Sequence, residues 1–240
     1  MPMPRPHDLL WLDNPQRLIW RQAMPDWAAT QWSAALPLVV RRDSDPSGLV
    51  PVGLRGTLRS QRAAAWAPAG AITRIVTPEE PIARLSSGAL NGREESRLSS
   101  GAPDGLQPYG LAPHQSPGLI CGAEALPVMR ALRRLAATDW PWPWGVTGSC
   151  GYMLATGLPA SRPDSDLDLL IRCPRPVAPG DFDALLAVLP ALPCRVDIQL
   201  ETPRGGCALL EWLRGGKVLV KTAHGPELTD NPWDVGPDAG

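Results

Sequence analysis

The stretch GVTGSCGYMLATGLPASRPDSDLDLLIR, from Gly145 to Arg172, is the part of the sequence that decides the fold. A short apolar lead ends at the Gly148-Ser149 pair, and helix-compatible residues follow until Gly157 and Pro159 interrupt them. Acidic and apolar residues then alternate from Ser165 to Ile171, which predicts a strand. The stretch therefore predicts a glycine-serine turn, a helix, a loop and an acidic strand.

Two carboxylates occur on the predicted strand. Because successive side chains of a strand point to opposite faces, Asp166 and Asp168 share one face, while Leu167 and Leu169 point into a core. Neighbouring carboxylates repel each other, so we expect a positive group between them. Mg²⁺ suits such a pair, because it takes one or two carboxylates together with phosphate oxygens. A solvated strand edge is the alternative interpretation of an isolated Asp-Leu-Asp.

An anion site is predicted just upstream of these acids. Gly148 and Ser149, at the start of a helix, offer free backbone N–H groups and the positive end of the helix dipole. A third acid, Asp197, lies between apolar residues in a later strand. Antiparallel or mixed pairing with the Asp168 strand would bring both acids to one face.

The order of Gly-Ser, Asp-x-Asp and a later apolar-Asp-apolar strand resembles the nucleotidyltransferase superfamily, to which polymerase beta belongs. The resemblance implies a nucleotidyltransferase-fold domain with a mixed sheet flanked by helices. The strand and helix patterns before it indicate a small N-terminal α+β domain, so we expect an α+β protein. We place the domains at residues 1–80 and 119–240. Residues 81–118 are interpreted as a low-complexity linker or insertion, because Arg-Leu-Ser-Ser-Gly-Ala occurs twice within a Ser/Gly/Pro-rich tract.

Basic residues supply further candidates for anion binding. Arg55, Arg59 and Arg62 are four and three residues apart, so they would share one face of a helix if the segment is helical. They are candidates for contacts with phosphate or with an acidic partner, and a solvated basic face is the alternative. Lys221, in an expected final strand, could also reach phosphate. His7 is interpreted as a structural or capping histidine, because no nucleophile or second histidine pairs with it.

Composition excludes several classes of protein. The chain has 240 residues and a net charge of −1, which argues against a general nucleic-acid binder. Its five cysteines are odd in number and form no Cys-x-x-Cys pair, as is typical of a reducing compartment. No apolar run is long enough for a membrane span. We therefore expect a cytoplasmic protein without a membrane segment.

A closer resemblance covers nearly the whole chain. Its motifs are His7-Asp8-Leu9-Leu10-Trp11-Leu12, Val52-Gly53-Leu54-Arg55-Gly56, Arg59-Ser60-Gln61-Arg62, Trp144-Gly145-Val146-Thr147-Gly148-Ser149, Ser165-Asp166-Leu167-Asp168-Leu169-Leu170, Val196-Asp197-Ile198-Gln199-Leu200-Glu201-Thr202, Glu211-Trp212, Val220-Lys221-Thr222 and Gly225-Pro226. With these the chain resembles the malonate decarboxylase holo-acyl-carrier-protein synthases, that is, the phosphoribosyl-dephospho-CoA transferases. Residues 84–118 depart from the family pattern.

The resemblance implies a reaction. The phosphoribosyl-dephospho-CoA group passes from triphosphoribosyl-dephospho-CoA to a serine of the acyl-carrier protein subunit of malonate decarboxylase, and pyrophosphate is released. Asp166, Asp168 and Asp197 would be the catalytic, metal-binding acids with Mg²⁺, and Gly148 and Ser149 would bind phosphate. Two alternatives remain at this point. One is a nucleotidyltransferase acting on another small molecule or RNA, and the other is a non-catalytic carrier-docking protein.

Overall fold

The structure, a computed structural model, describes residues 3–56, 58, 60–86 and 122–235. These residues form an α+β protein with one five-stranded and one six-stranded sheet. Each sheet has its own hydrophobic core, and the α+β class agrees with the sequence prediction. None of the helices within the described ranges has the length and apolar character needed to cross a membrane.

The first sheet is antiparallel throughout, in the order β4-β3-β2-β1-β5. Its strands are β1 (Leu9–Leu12), β2 (Leu38–Val40), β3 (Val50–Arg55), β4 (Arg62–Ala67) and β5 (Ile72–Val76), and its helix is α1 (Asp26–Gln31). Apolar residues on one face of this sheet, among them Leu10, Leu38 and Val52, are almost completely buried. Three tryptophans, Trp20, Trp27 and Trp32, pack against this core.

The arginine segment is a β-hairpin, which corrects the prediction of a helix start there. β3 and β4 pair along their full length, and Arg55 lies directly opposite Arg62. Gly56 begins the turn, where a Cβ atom would come within 2.6 Å of the Gln61 side chain and 2.9 Å of Trp27. The arginines therefore do not share a helical face. Arg59 lies outside the described residues.

The second sheet has the order β11-β10-β9-β8-β7-β6. Its strands are β6 (Trp144–Val146), β7 (Leu167–Arg172), β8 (Val196–Glu201), β9 (Gly206–Ala208), β10 (Val218–Thr222) and β11 (Gly225–Thr229). Only β7 and β8 are parallel among the described pairs, so the sheet is mixed, as predicted. A parallel pair needs a crossover connection, and the segment between β7 and β8 supplies it.

Helices cover one face of the second sheet. They are α2 (Glu80–Ser86), α3 (Pro127–Ala136), α4 (Gly148–Thr156), α5 (Asp183–Val188) and α6 (Leu209–Trp212). The apolar stripe predicted for α3 is buried, with Met129 and Leu132 fully inaccessible to solvent. The predicted boundary between residues 80 and 81 falls inside α2, whose Ile82 packs in this second core. The repeated six-residue segment lies almost entirely outside the described residues.

Contacts between the two sheets join the halves of the molecule. Tyr152 and Ala155 of α4 pack against Leu9 and Val76 of the first sheet. The backbone N–H of Val146 donates to the Pro78 carbonyl oxygen at 2.9 Å, so the chain leaving the first sheet hydrogen-bonds to β6. One face of α4 therefore looks into the boundary between the sheets.

Candidate active site

Two of the predicted acids are neighbours on adjacent strands. The parallel register of β7 and β8 places Asp168 beside Asp197, and both side chains are half-buried. Their flanking residues Leu167, Leu169 and Ile198 are buried in the core on the opposite face. The expectation that the two acids share one face is therefore confirmed, and a parallel pair within a mixed sheet brings this about.

The third acid, Asp166, is exposed and directly precedes β7. Its charge, after the hydrogen bond and charge of Asp197, raises the pKa of the Arg195 guanidinium. Arg195 donates to Asp197 Oδ1 from Nε at 3.1 Å and from Nη2 at 2.8 Å. The positive group that the acids require is thus an exposed arginine in this structure.

The donor set fits a hard divalent cation. Carboxylate oxygens are the preferred ligands of Mg²⁺, which commonly takes only one or two of them from the protein. Asp168 and Asp197 stand side by side, and the fully exposed Arg195 can turn away from them. Within the described ranges, no group of three or more His, Cys, Asp or Glu residues is arranged to hold a metal ion.

Gly148 sits against the Asp168 carboxylate at the start of α4. Its φ is 62°, in the left-handed region, and a Cβ atom there would overlap with Asp168 Oδ2. The preceding residue, Thr147, donates its backbone N–H to the Asp168 carbonyl oxygen at 2.9 Å. Only glycine therefore lets the helix start and the acidic strand approach so closely.

The N-terminus of α4 points its free N–H groups toward this site. The first described intrahelical bond runs from the Gly151 N–H to the Thr147 carbonyl oxygen at 2.9 Å, so the N–H groups of Gly148 and Ser149 have no intrahelical acceptor. The Ser149 hydroxyl accepts a hydrogen bond from Ser161 Oγ at 3.2 Å. The positive helix end and the carboxylates thus lie next to each other.

Arg55 reaches the same site from the first sheet. It lines a small cleft of about 30 Å³ together with His7, Thr147, Gly148 and Tyr152. Burial and then the charge of Arg62 lower its pKa, while Tyr152 and Asp168 act in the opposite direction. Like charges directly opposite each other in a hairpin are destabilising. A half-buried arginine held in this position is therefore well suited to an anionic ligand.

The remaining predicted residues lie at different places. Arg62 is exposed on the opposite strand of the hairpin, and Lys221 is exposed on β10. Lys221 pairs in register with Gly206, and its charge lowers the pKa of His7. The structure thus brings together Asp166, Asp168, Asp197, Gly148, Ser149 and Arg55. Lys221 is not a lining residue of the cleft, but its charge acts on His7, which lines it.

A polar network that the sequence did not predict joins the two sheets. Arg172 is only 8% exposed, donates from Nε to Glu79 Oε1 at 2.8 Å, and has Nη2 3.7 Å from Asp8 Oδ1. Arg42 forms an ion pair with Glu201 at the C-terminal end of β8. One sequence signal could have indicated this network. Arg172 is the last residue of the otherwise apolar end of β7, and a charged side chain buried there needs a partner of opposite charge.

Two family models match the chain. Residues 5–78 match the phosphoribosyl-dephospho-CoA transferase MdcG N-terminal domain, and residues 118–232 match the MdcG C-terminal domain.

Curated relatives cover almost the full length. A phosphoribosyl-dephospho-CoA transferase of Klebsiella pneumoniae (strain 342) is 46% identical over 231 residues, which is 96% of both chains. Proteins of the same name from Azotobacter vinelandii and Pseudomonas aeruginosa are 41% and 39% identical, over 96% and 97% of this chain and 95% of each relative. No solved structure matches. The chain therefore belongs to the MdcG family of phosphoribosyl-dephospho-CoA transferases.

Proposed function

We propose that this protein transfers the phosphoribosyl-dephospho-CoA group from triphosphoribosyl-dephospho-CoA to a serine of the acyl-carrier protein of malonate decarboxylase. The observation that carries the proposal is the placement of Asp168 and Asp197 side by side, next to the N-terminus of α4 and the half-buried Arg55. Acids beside an anion-binding helix end suit phosphoryl transfer. Family membership gives the substrate and the acceptor.

The transfer exchanges one bond to phosphorus for another. The serine oxygen forms a bond to the α-phosphorus, and the bond from that phosphorus to the bridging oxygen breaks. Pyrophosphate leaves with the electron pair. Asp197 is our candidate for accepting the serine proton, because Arg195 occupies its Oδ1 and leaves Oδ2 for the incoming hydroxyl.

The phosphate groups are held by positive groups from both sheets. The N–H groups of Gly148 and Ser149 would bind the phosphates, and Arg55 would approach from the hairpin. Arg59, Arg62 and Lys221 remain proposed contacts for the outer phosphates or for an acidic face of the carrier.

We also propose Mg²⁺ as the cofactor, held by the neighbouring pair Asp168 and Asp197. Asp166, expected from the sequence as a third ligand, lies exposed just before β7 and is the outermost candidate. When bound, the ion would neutralise the charge that develops on the phosphate oxygens. The adjacent carboxylate pair supports this choice. The four described cysteines are unpaired, which supports a reducing cytoplasmic location.

The direct test is incubation of the protein with apo carrier protein, triphosphoribosyl-dephospho-CoA and Mg²⁺. The intact mass of the carrier should rise by the mass of the prosthetic group, and one pyrophosphate should be released per carrier. A carrier in which the acceptor serine is replaced by alanine should stay unmodified. Pyrophosphate release without a change in carrier mass would indicate a different acceptor, and the absence of both would refute the proposal.

Asp197→Asn tests the role of the third acid. The substitution keeps the size of the side chain but removes the charge and the basic oxygen, so we expect kcat to fall roughly a thousandfold with little change in precursor binding. Asp139→Asn, on an exposed turn, is the matched control and should behave as wild type. If the kcat of Asp197→Asn lay within about tenfold of the wild-type kcat, a group other than Asp197 would have to accept the serine proton.

A further inference from the structure

His7 occupies an unusual place in the cleft. It lines the cleft with Arg55 and Gly148, although its sequence context suggested only a structural or capping role. Its φ of 74° makes it the only non-glycine residue in the described part of the chain with a left-handed backbone. Histidine is among the residues that tolerate this region, but such conformations persist mainly where the surroundings enforce them, often at ligand sites.

Two hydrogen bonds hold His7 in this position. Its backbone N–H donates to the Val40 carbonyl oxygen at 3.0 Å, and its ring Nε2 lies 2.9 Å from Nε2 of Gln199. The same amide nitrogen lies 3.4 Å from Glu201 Oε2, to which it donates. Gln199 follows Asp197 by two residues on β8, so both side chains are on one face of the strand. The imidazole therefore lies over the face of the sheet that carries the catalytic acids.

The hydrogen bond from Gln199 determines which ring nitrogen carries the proton. An amide N–H can only donate, so Nε2 of His7 accepts, and a neutral ring then carries its proton on Nδ1. Among the described residues, no protein acceptor is found for that N–H. The ring thus offers one hydrogen-bond donor that no residue in the described part of the chain accepts.

The surroundings of the ring favour an anion. Burial, and then the charges of Arg42, Arg172, Lys221 and Arg55, lower the pKa of His7 to about 3, so the ring is neutral at physiological pH. Glu201 and Glu79 balance Arg42 and Arg172. Neither Lys221 nor Arg55 forms a salt bridge with another described residue. Two cations without such partners, from opposite sheets, therefore converge beside a free N–H donor.

We propose that His7 binds the substrate directly, donating a hydrogen bond from Nδ1 to the phosphate oxygens that leave as pyrophosphate. Gln199 is then a positioning residue, because it fixes the tautomer and the orientation of the ring. The proposal rests on the proposed function for the identity of the substrate. The chemical class of the ligand, a polyphosphate, is inferred from the Nδ1–H donor of His7 and from the charges of Arg55 and Lys221 that act on its ring.

The experiment compares two substitutions that both suit the left-handed backbone. His7→Gly removes the donor and relieves the backbone strain, whereas His7→Asn keeps an N–H donor on a residue that tolerates positive φ. The probe is inorganic pyrophosphate, titrated calorimetrically with and without Mg²⁺. We expect His7→Gly to weaken binding about tenfold or more, as for one lost hydrogen bond to a charged group, and His7→Asn to restore most of it.

Further measurements separate binding from folding. His224→Asn, on the exposed turn between β10 and β11, should bind pyrophosphate as wild type does. Gln199→Leu should weaken pyrophosphate binding, although Gln199 itself does not contact the ligand, because the His7 ring loses the hydrogen bond that orients it. In transfer assays, His7→Gly should raise the KM for the precursor by a factor similar to the loss of pyrophosphate affinity. Circular dichroism and melting temperature confirm that each variant is folded.

The outcomes distinguish this proposal from the proposed function. If the wild-type protein bound pyrophosphate but modified no carrier, the transfer reaction would be refuted. The pyrophosphate titration of His7→Gly would still decide whether His7 binds the ligand. Equal affinity of folded His7→Gly and wild type for pyrophosphate would overturn the proposal. So would a wild-type protein that binds no pyrophosphate while still transferring the group.

Discussion

At the scale of single residues, Gly148 is the position with the least freedom in the site. Its left-handed φ and its contact with Asp168 Oδ2 impose separate penalties on any side chain. We expect Gly148→Ala to lower kcat by about a hundredfold or more, because the new methyl group must displace the carboxylate that it meets. Steady-state kinetics of the transfer reaction measures the effect.

Gly48→Ala is the matched control for this substitution. Gly48 has a φ of 75°, but a Cβ atom there would have nothing within 4 Å, so the control carries the backbone strain without the clash. It should lose about 1 kcal/mol of stability and keep its activity. Equal activities for the two variants would show that the carboxylate can move aside without loss.

Asp8 makes stability depend on pH. Burial, which the Arg5 N–H and Arg172 only partly oppose, raises its pKa to about 6 from 3.8. The folded protein therefore binds this proton more tightly than the unfolded chain. The stability that Asp8 contributes is complete below about pH 3.8 and is lost as the pH rises through 6. The gap in pKa corresponds to about 3 kcal/mol.

Asp8→Asn should remove this dependence. The amide keeps an oxygen for the Arg5 N–H but cannot ionise, so the variant should gain about 2 kcal/mol relative to wild type between pH 4.5 and 7. Urea denaturation at several pH values measures the difference. Arg172 binds the Glu79 carboxylate and lowers its pKa despite burial. This contribution to the pH dependence is the same in both proteins, so it cancels in their difference. If the difference in free energy of unfolding between Asp8→Asn and wild type were the same at every pH, the prediction would be wrong.

The acids of the site could be predicted from the sequence, but their partners could not. Alternation along each strand is a local rule, and it was enough to turn Asp168 and Asp197 away from the apolar core, while the parallel pairing of β7 and β8 makes them neighbours. His7 and Arg172 acquire their roles only when the two sheets dock. The Gln199–His7 and Arg172–Glu79 contacts join residues 192 and 93 positions apart, and no local pattern encodes such distances.

At the scale of elements, α3 contributes its whole apolar stripe to the second core. Leu132 has no exposed surface. We expect Leu132→Ala to reduce the free energy of unfolding by 2–5 kcal/mol, roughly the range for such cavities, while activity at low temperature is kept. Arg130 lies on the exposed side of α3, so Arg130→Ala should change the free energy of unfolding by less than about 0.5 kcal/mol. Equal losses in a denaturation series would mean that the stripe does not pack as described.

The hairpin shows where periodicity is insufficient. Spacings of three and four residues place Arg55, Arg59 and Arg62 on one helical face, but the same letters also fit two strands joined by a turn. Pairing with β2 and burial of Ala65 and Ala67 in the first core decide for strands. That choice depends on distant residues. The strand β11 was missed because its polar, half-exposed residues show little apolar alternation.

At the scale of the whole molecule, Arg172 links the two sheets. Its Nη2, Asp8 Oδ1 and Glu79 Oε2 are buried without hydrogen-bond partners among the described residues, so ion pairing and the single Arg172–Glu79 hydrogen bond hold the network together. Removing one partner leaves buried charges uncompensated. We expect Arg172→Met to cost about 3–5 kcal/mol and to split calorimetric unfolding into two transitions, one for each sheet.

Arg17→Met is the control for this prediction. Arg17 pairs with Asp13 at 3.0 Å on the surface, where both side chains are 43% exposed. Such a pair contributes about 0–1 kcal/mol, so the variant should unfold in one transition close to that of wild type. A single, unshifted transition for Arg172→Met would show that apolar contacts alone couple the sheets.

The bond between His7 and Gln199 also bears on the order in which the protein folds. The β3–β4 hairpin closes a loop of a few residues, whereas this bond must bring together residues 192 positions apart. The entropy lost on closing a loop grows with the length of the loop, so short loops close first. Each sheet therefore forms with its own hydrophobic core before the two sheets pack together. The cleft is then the last region to form. A chain can thus bury both cores and still lack the ability to bind its substrate.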